Sequence, residues 1–142
     1  LRVPYESMVD WCEVINYLRC SPQFHGHPRY DCVIVDTANH GHIFAQIHTV
    51  FTCSIDGTAH LLTLVQPLDA LIGVRSHVDR DLGLLHVRAK PLVHSEFISV
   101  KSIMRGVLLV EDFDKPGDYL VVDTTYGDMF LRCKALLRLS QQ

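Results

Sequence analysis

Histidine is the residue type this chain over-supplies, with nine among 142 residues. His25, His27, Cys32, His40 and His42 crowd into one stretch, and imidazole and thiolate are the usual protein ligands of zinc. A zinc centre drawn from His25, His27, His40 and His42 is therefore the first chemistry to weigh. The spacing argues against it. The two His-x-His pairs flank the apolar run Cys32-Val33-Ile34-Val35. A strand advances about 3.3 Å per residue, which sets the pairs at opposite ends. Unless the flanking loops fold back, the pairs share no ion. Solvated or hydrogen-bonded loop histidines are the expectation, with no cofactor, and zinc is the alternative.

Other chemistries have less to stand on. Nucleophilic catalysis needs a Ser or Cys held against a base, and the sequence has no GxSxG and no Cys-protease signature. No GxGxxG or GxxxxGK[ST] run is present to cradle a nucleotide phosphate. Glu111, Asp112 and Asp114 cluster in what reads as a solvated turn. An enzyme is left open, with the weight against it.

Charge is uneven along the chain. From Arg75 to Arg105 there are six basic residues (Arg75, Arg80, Arg88, Lys90, Lys101, Arg105) against three acidic ones, and from Glu111 to Asp128 six acidic residues face only Lys115. A basic face opposite an acidic edge would dock phosphates on one side and a basic peptide tail on the other. Two ordinary solvated surfaces are the plainer account.

These side chains need elements to position them. The clearest is a long hairpin from His42 to Pro67. Its first half is rich in β-branched and aromatic residues, and Ile43, Ala45, Ile47 and Phe51 share one strand face. Asp56-Gly57 supplies the turn, and Leu61 to Val65 returns until Pro67, which cannot donate to a ladder. Ile47, Phe51, Leu62, Leu64 and Val107–Val110 are expected in the core.

Around the hairpin, residues 5–20 carry Met8, Trp11, Cys12, Ile15 and Leu18 at helical spacing, stopped by Ser21-Pro22. There Trp11 either packs onto the body or stands exposed in a ligand cage. Residues 22–31 read as a loop. Further strands are expected at 32–35, 84–90, near 95–99, at 106–110 and at 119–123. Met129 to Leu139 begins as a strand and ends helically. Short strands punctuated by turns predict a mainly β fold, a single distorted barrel of short antiparallel strands with an N-terminal helix and a short C-terminal helical segment. One domain, 1–142, accommodates this, with a helical arm at 1–21 and the barrel at 30–133.

A content of 48% hydrophobic and 20% charged residues fits a globular chain, and the formal charge of −3 exerts no global pull toward nucleic acid. No apolar run approaches the roughly 20 residues of a membrane span. Five cysteines, an odd number without a CxxC, point to reduced thiols in an intracellular protein. No signal peptide is read at Leu1-Arg2-Val3-Pro4, which leads into charged residues, and a first residue other than Met is what an excised piece of a longer protein would show.

The order of features resembles bromo-adjacent homology (BAH) domains. In that family a strand with an ARI..IF-type pattern passes through a turn into a return strand ending in a Pro-containing turn; here that part reads FAQIHTVFTCSIDGTAHLLTLVQPLDA. An acidic-aromatic-Ile-Ser element follows as Glu96-Phe97-Ile98-Ser99, then Ser102 to Gly106 and VLLVED, and MFLRC matches a late aromatic-plus-Arg strand. The likeness covers roughly residues 30–133. A second resemblance is to proteins of fungal transposable elements of the Kyakuja–Dileera–Zisupton kind, through HGHPRYDCVIVDT, LVQPLDA and SEFISVKSIMRGVLLVED.

What the BAH resemblance implies is a nuclear, non-catalytic module that binds chromatin, a histone or another protein domain. Together the resemblances suggest a module tethering a transposon-derived protein to chromatin. The residues proposed for contact are Arg75, Arg80, Arg88, Tyr30 and Trp11, with DNA reached through the basic segment and no membrane partner. One departure matters. Methyl-lysine readers of the family end the return strand in aromatics, and here Leu64-Val65-Gln66-Pro67 has none. A cation–π cage needs aromatic faces; Trp11, Tyr30 and Phe44 could contribute, but nothing in their spacing brings them together, so methyl-lysine binding is not carried over. The alternative is a structural accessory domain of a larger transposase-like protein.

Overall fold

The computed structural model describes residues 1–38, 41–70 and 81–139. In chain order the strands are β1 (Arg2–Glu6), β2 (Glu13–Tyr17), β3 (Cys20–Phe24), β4 (His27–Tyr30), β5 (Cys32–Thr37), β6 (Gly41–Ile55), β7 (Thr58–Ala70), β8 (Leu85–Ala89), β9 (Glu96–Ser99), β10 (Ile103–Val107), β11 (Leu109–Glu111) and β12 (Asp118–Val121). One helix, α1 (Gly127–Leu139), closes the described chain, and 3-10 turns at Leu92–His94 and Val100–Ser102 bracket β9. None of the described helices is long and apolar enough to cross a membrane.

The expected hairpin is the spine. β6 and β7 pair from Phe44↔Leu68 to Ile55↔Thr58. The turn between them places Asp56 at φ 49° and Gly57 at φ 77°, the two successive left-handed residues that match strand twist in a two-residue hairpin. A bulge between Ile47 and Thr49 shifts the register. The largest sheet runs β10-β5-β6-β7-β8-β12-β11, with β9 pairing β7 beside β8, and every pairing is antiparallel.

Both faces of this sheet are covered, so its central strands read as apolar runs rather than alternations. Val33, Val35, Ala45, Ile47 and Val65 form one core with Val3, Leu18 and Ile103. Ile34, Phe44 and Leu68 point the other way and pack with Leu85, Val87, Val121, Met129 and Cys133.

Four expectations are corrected. The sheet is not closed into a barrel; its hydrogen-bonded order is open, although its end strands β10 and β11 are separated in the chain by Leu108 alone. Residues 5–20 form no helix. They form the β1–β2 hairpin, registered Arg2↔Tyr17 to Glu6↔Glu13, because Val14, Ile15, Tyr5 and Tyr17 favour a pleated surface and because Val3 and Leu18 bury as its anchors. Residues 22–31 contain the β3–β4 hairpin rather than only a loop. The MFLRC stretch is helix throughout: Met129 and Cys133, four apart, share the buried face of α1. Its early strand reading came from a run too short to separate the two periods.

Several core assignments also change. The bulge in β6 exchanges the faces of the strand beyond it, so Phe51 leaves the face of Ile47 and is half-buried; along the unbulged β7, Thr63 and Val65 take the buried face and Leu62 and Leu64 are half-buried. Ile47 is buried as expected. Leu108, between β10 and β11, and Val110 are exposed, while Val107 and Leu109 are half-buried against the second core. Pro67 does not end β7. Its carbonyl accepts from the Lys90 N–H at 3.0 Å, so the N–H it lacks would also face away from β6, and the ladder continues to Ala70.

Candidate functional site

Two adjoining cavities of about 690 and 750 Å³ make one open groove, sharing Asp36, Ser99 and Ser102. One wall is the N-terminal hairpin, which contributes Tyr5, Glu6 and Trp11. The floor comes from the end of β5 and from the Val100–Ser102 turn leading into β10. The far end is lined by Pro67, Asp69, Lys90 and Glu96.

Trp11 occupies the lip. It sits in the β1–β2 turn at φ 59°, held by its N–H donating to the Ser7 carbonyl at 2.9 Å. The Asp10 carboxylate accepts from the Cys12 N–H at 3.2 Å on the same turn. The indole is 70% exposed. Of the groove's carboxylates, Asp69 meets Lys90 at 3.1 Å and Asp36 lies 3.8 Å from His42. Glu6 and Glu96 engage no cation among the described residues. Lys101 is the groove's cation left over once Lys90 and Arg132 are paired. The balance of uncommitted charge is therefore negative. Ser99 accepts from the Lys101 N–H at 3.2 Å, and among the described residues no histidine is hydrogen-bonded to it.

Behind the Trp11 wall lies a buried ionic hub. The Asp128 carboxylate accepts from the Met8 N–H at 2.7 Å, from Arg132 Nε at 2.8 Å, and from Arg105 Nη1. Arg105 and Asp128 are both buried, and the Arg105 guanidinium stacks 4.4 Å from the Tyr5 ring centroid. Arg132 also donates to the Glu6 carbonyl at 2.7 Å. Burial pushes the Asp128 carboxyl up, but its hydrogen bonds from Arg132, the Met8 N–H and Arg105 outweigh that and hold it below the usual range. The hub locks the hairpin wall to β10 and α1. Gly106 completes the fit: its N–H donates to Asn16 Oδ1 at 2.8 Å, and a Cβ there would lie 2.8 Å from Leu18 Cδ2.

The residues singled out in the sequence disperse. Trp11 lines the groove. Tyr30 leans on the His48 ring at 5.6 Å and is not part of the groove lining. Phe44 is buried in the second core, so the three aromatics do not converge. Arg75, Arg80 and His40 lie outside the described residues. Arg88 makes a two-pronged pair with Asp118, at 2.5 and 2.8 Å, whose hydrogen bonds lower the Asp118 carboxyl. At Arg88 the basic and acidic segments meet, because β8 pairs with β12 and sets Arg88 opposite Asp118. His25 and His27 belong to the β3–β4 hairpin and His42 to the start of β6. Among the described residues, no three His, Cys, Asp or Glu side chains gather to hold a metal ion. The Cys32 and Cys133 thiols are pushed up to about 12, chiefly by burial, and are protonated at neutral pH.

Sequence reasoning missed the Arg105–Asp128–Arg132 hub and the groove carboxylates Glu6, Asp36 and Glu96. Arg132 lying four residues after Asp128 was the one local signal for the hub. No family model matches the chain, and neither a curated protein nor a solved structure matches it.

Proposed function

We propose that this chain is a non-catalytic protein-interaction module that holds an extended basic segment of its partner in the groove. The observation that carries the reading is the exposed Trp11 at the lip of a groove whose uncommitted charge, Glu6 and Glu96 beside Asp36, is negative. Carboxylates with an aromatic face at their edge suit Lys and Arg side chains, through charge and through cation–π contact. A histone tail is the partner to which the BAH-like order of features points, and a nuclear module tethering a transposon-derived protein to chromatin is the wider form of the proposal. DNA contact through Arg75, Arg80 and Arg88 belongs to the same reading, although Arg88 already spends its fork on Asp118.

Trp11 is the only tryptophan, so its emission reports groove occupancy directly. The test is a titration with nucleosomes, with lysine-rich histone-tail peptides and with free duplex DNA, each at low and at physiological salt. Expected are binding to nucleosomes and tails above free DNA, a Trp11 emission shift, and at least tenfold weakening in the Glu6→Lys/Glu96→Lys double variant. Equal binding to nucleosomes and DNA that disappears with salt, or tail binding untouched by the double variant, overturns the reading. A structural accessory domain is the second reading, supported by the exposed apolar side chains Val9 and Val14 on the hairpin and Phe130 and Leu131 on α1. Absence of binding to all three probes favours it.

A further inference from the structure

β6 is fifteen residues long, but β5 pairs only with Gly41–Gln46 of it. The Ile47 N–H still finds the Asp31 carbonyl at 3.0 Å. From Thr49 to Ile55, no described strand pairs with that edge. The two-residue turn makes Ile55 and Thr58 a hydrogen-bonded pair, so bonding to β7 falls on Ile55, Cys53, Phe51 and Thr49. The Thr49 carbonyl does face β7, where it accepts from Thr63 Oγ1 at 2.8 Å. Val50, Thr52 and Ser54 therefore aim their N–H and C=O groups outward. Sheet edges are ordinarily guarded by charge or proline. Thr49-Val50-Phe51-Thr52-Cys53-Ser54-Ile55 contains neither.

We infer that this edge pairs with the same edge of a second copy of the chain, antiparallel about a two-fold axis at Thr52. In that register Val50 meets Ser54 of the second copy and Thr52 meets Thr52, so all the outward backbone groups are satisfied. An uncharged edge meets no repulsion from its own copy. On the outer face, Phe51 of one copy falls opposite Cys53 of the other. That face already carries Phe97, edge-on to Phe51 at 5.6 Å and 66% exposed, and the half-exposed Ile55. Pairing makes this apolar strip continuous across the axis. A seven-residue edge is about 23 Å long. Such a strip buries less than the ~800 Å² per partner of a standard interface, so the dimer is weak and concentration-dependent.

The test is sedimentation equilibrium of the whole chain from about 10 µM to about 1 mM, with amide exchange followed at Val50, Thr52 and Ser54. Expected are a monomer–dimer equilibrium and protection of those three amides that grows with concentration. Thr52 is exposed, so Thr52→Lys and Thr52→Glu should keep the monomer's circular dichroism. Each alone puts like charges opposite one another and should weaken association at least tenfold. Mixing the two should restore it. A chain that stays monomeric throughout the range, or single variants that dimerise like the parent, overturns the inference.

Discussion

Replacing Asp128 with asparagine should be among the most damaging single changes in this chain. The substitution is nearly isosteric, so packing is left intact, while the charge and the Oδ2 acceptor that faces Arg105 and Arg132 are both removed. Arg105 would then remain buried, about 4% exposed, without its counter-ion. Breaking a buried pair by removing one partner costs about 3–5 kcal/mol. The asparagine carbonyl can still accept from the Met8 N–H, which retains a contribution of about 1 kcal/mol. Arg132 keeps its bond to the Glu6 carbonyl. The expected loss is therefore about 3–4 kcal/mol, a large part of the ~5–15 kcal/mol total of a typical domain. With a urea m-value of ~2 kcal/mol/M, the midpoint should fall by about 1.5–2 M at unchanged slope. The control is the Arg105→Met/Asp128→Leu pair, which removes both charges and should lose less than Asp128→Leu alone. A loss below about 1 kcal/mol for Asp128→Asn, or a double variant worse than both singles combined, would refute the view that this hub anchors the N-terminal hairpin.

The Asp118 and Asp128 carboxyls are both held below their ordinary range. They bind protons less readily folded than unfolded, so their stabilisation is complete above the unfolded value of about 3.9 and is lost as pH falls through it toward the folded values. Urea midpoints should therefore drop on acidification below about pH 5, and Asp128→Asn should flatten that dependence; an identical acid slope in the variant would show Asp128 titrating normally. Ile47→Ala should cost about 2–5 kcal/mol, since Ile47 is about 1% exposed between β5 and β7. Phe51→Ala should cost only about 1–2 kcal/mol, because its ring is half-buried and rests on the exposed Phe97. Equal losses at the two positions, measured by urea unfolding, would mean the bulge does not exchange the faces.

Local chemistry determined much of the scaffold. The β6–β7 hairpin, its Asp56-Gly57 turn, the buried β5 strand and a helical C-terminal segment follow from side-chain periodicity, β-branching and the backbone freedom of the turn residues. These act over a few neighbouring positions. Tertiary structure decided the rest. The N-terminal segment carried a helical stripe and β-branched residues together, and burial of Val3 and Leu18 beside β10 selected the strands. The bulge at Ile47–Thr49 reversed which residues of β6 beyond it face the core, and nothing in the sequence around it announces the extra residue. The hub joins Met8, Arg105 and Asp128, and the groove gathers Glu6, Asp36 and Glu96. Both depend on contacts between groups scores of residues apart in the chain. Their free energy comes from desolvation and charge pairing that exist only once the fold has brought them together.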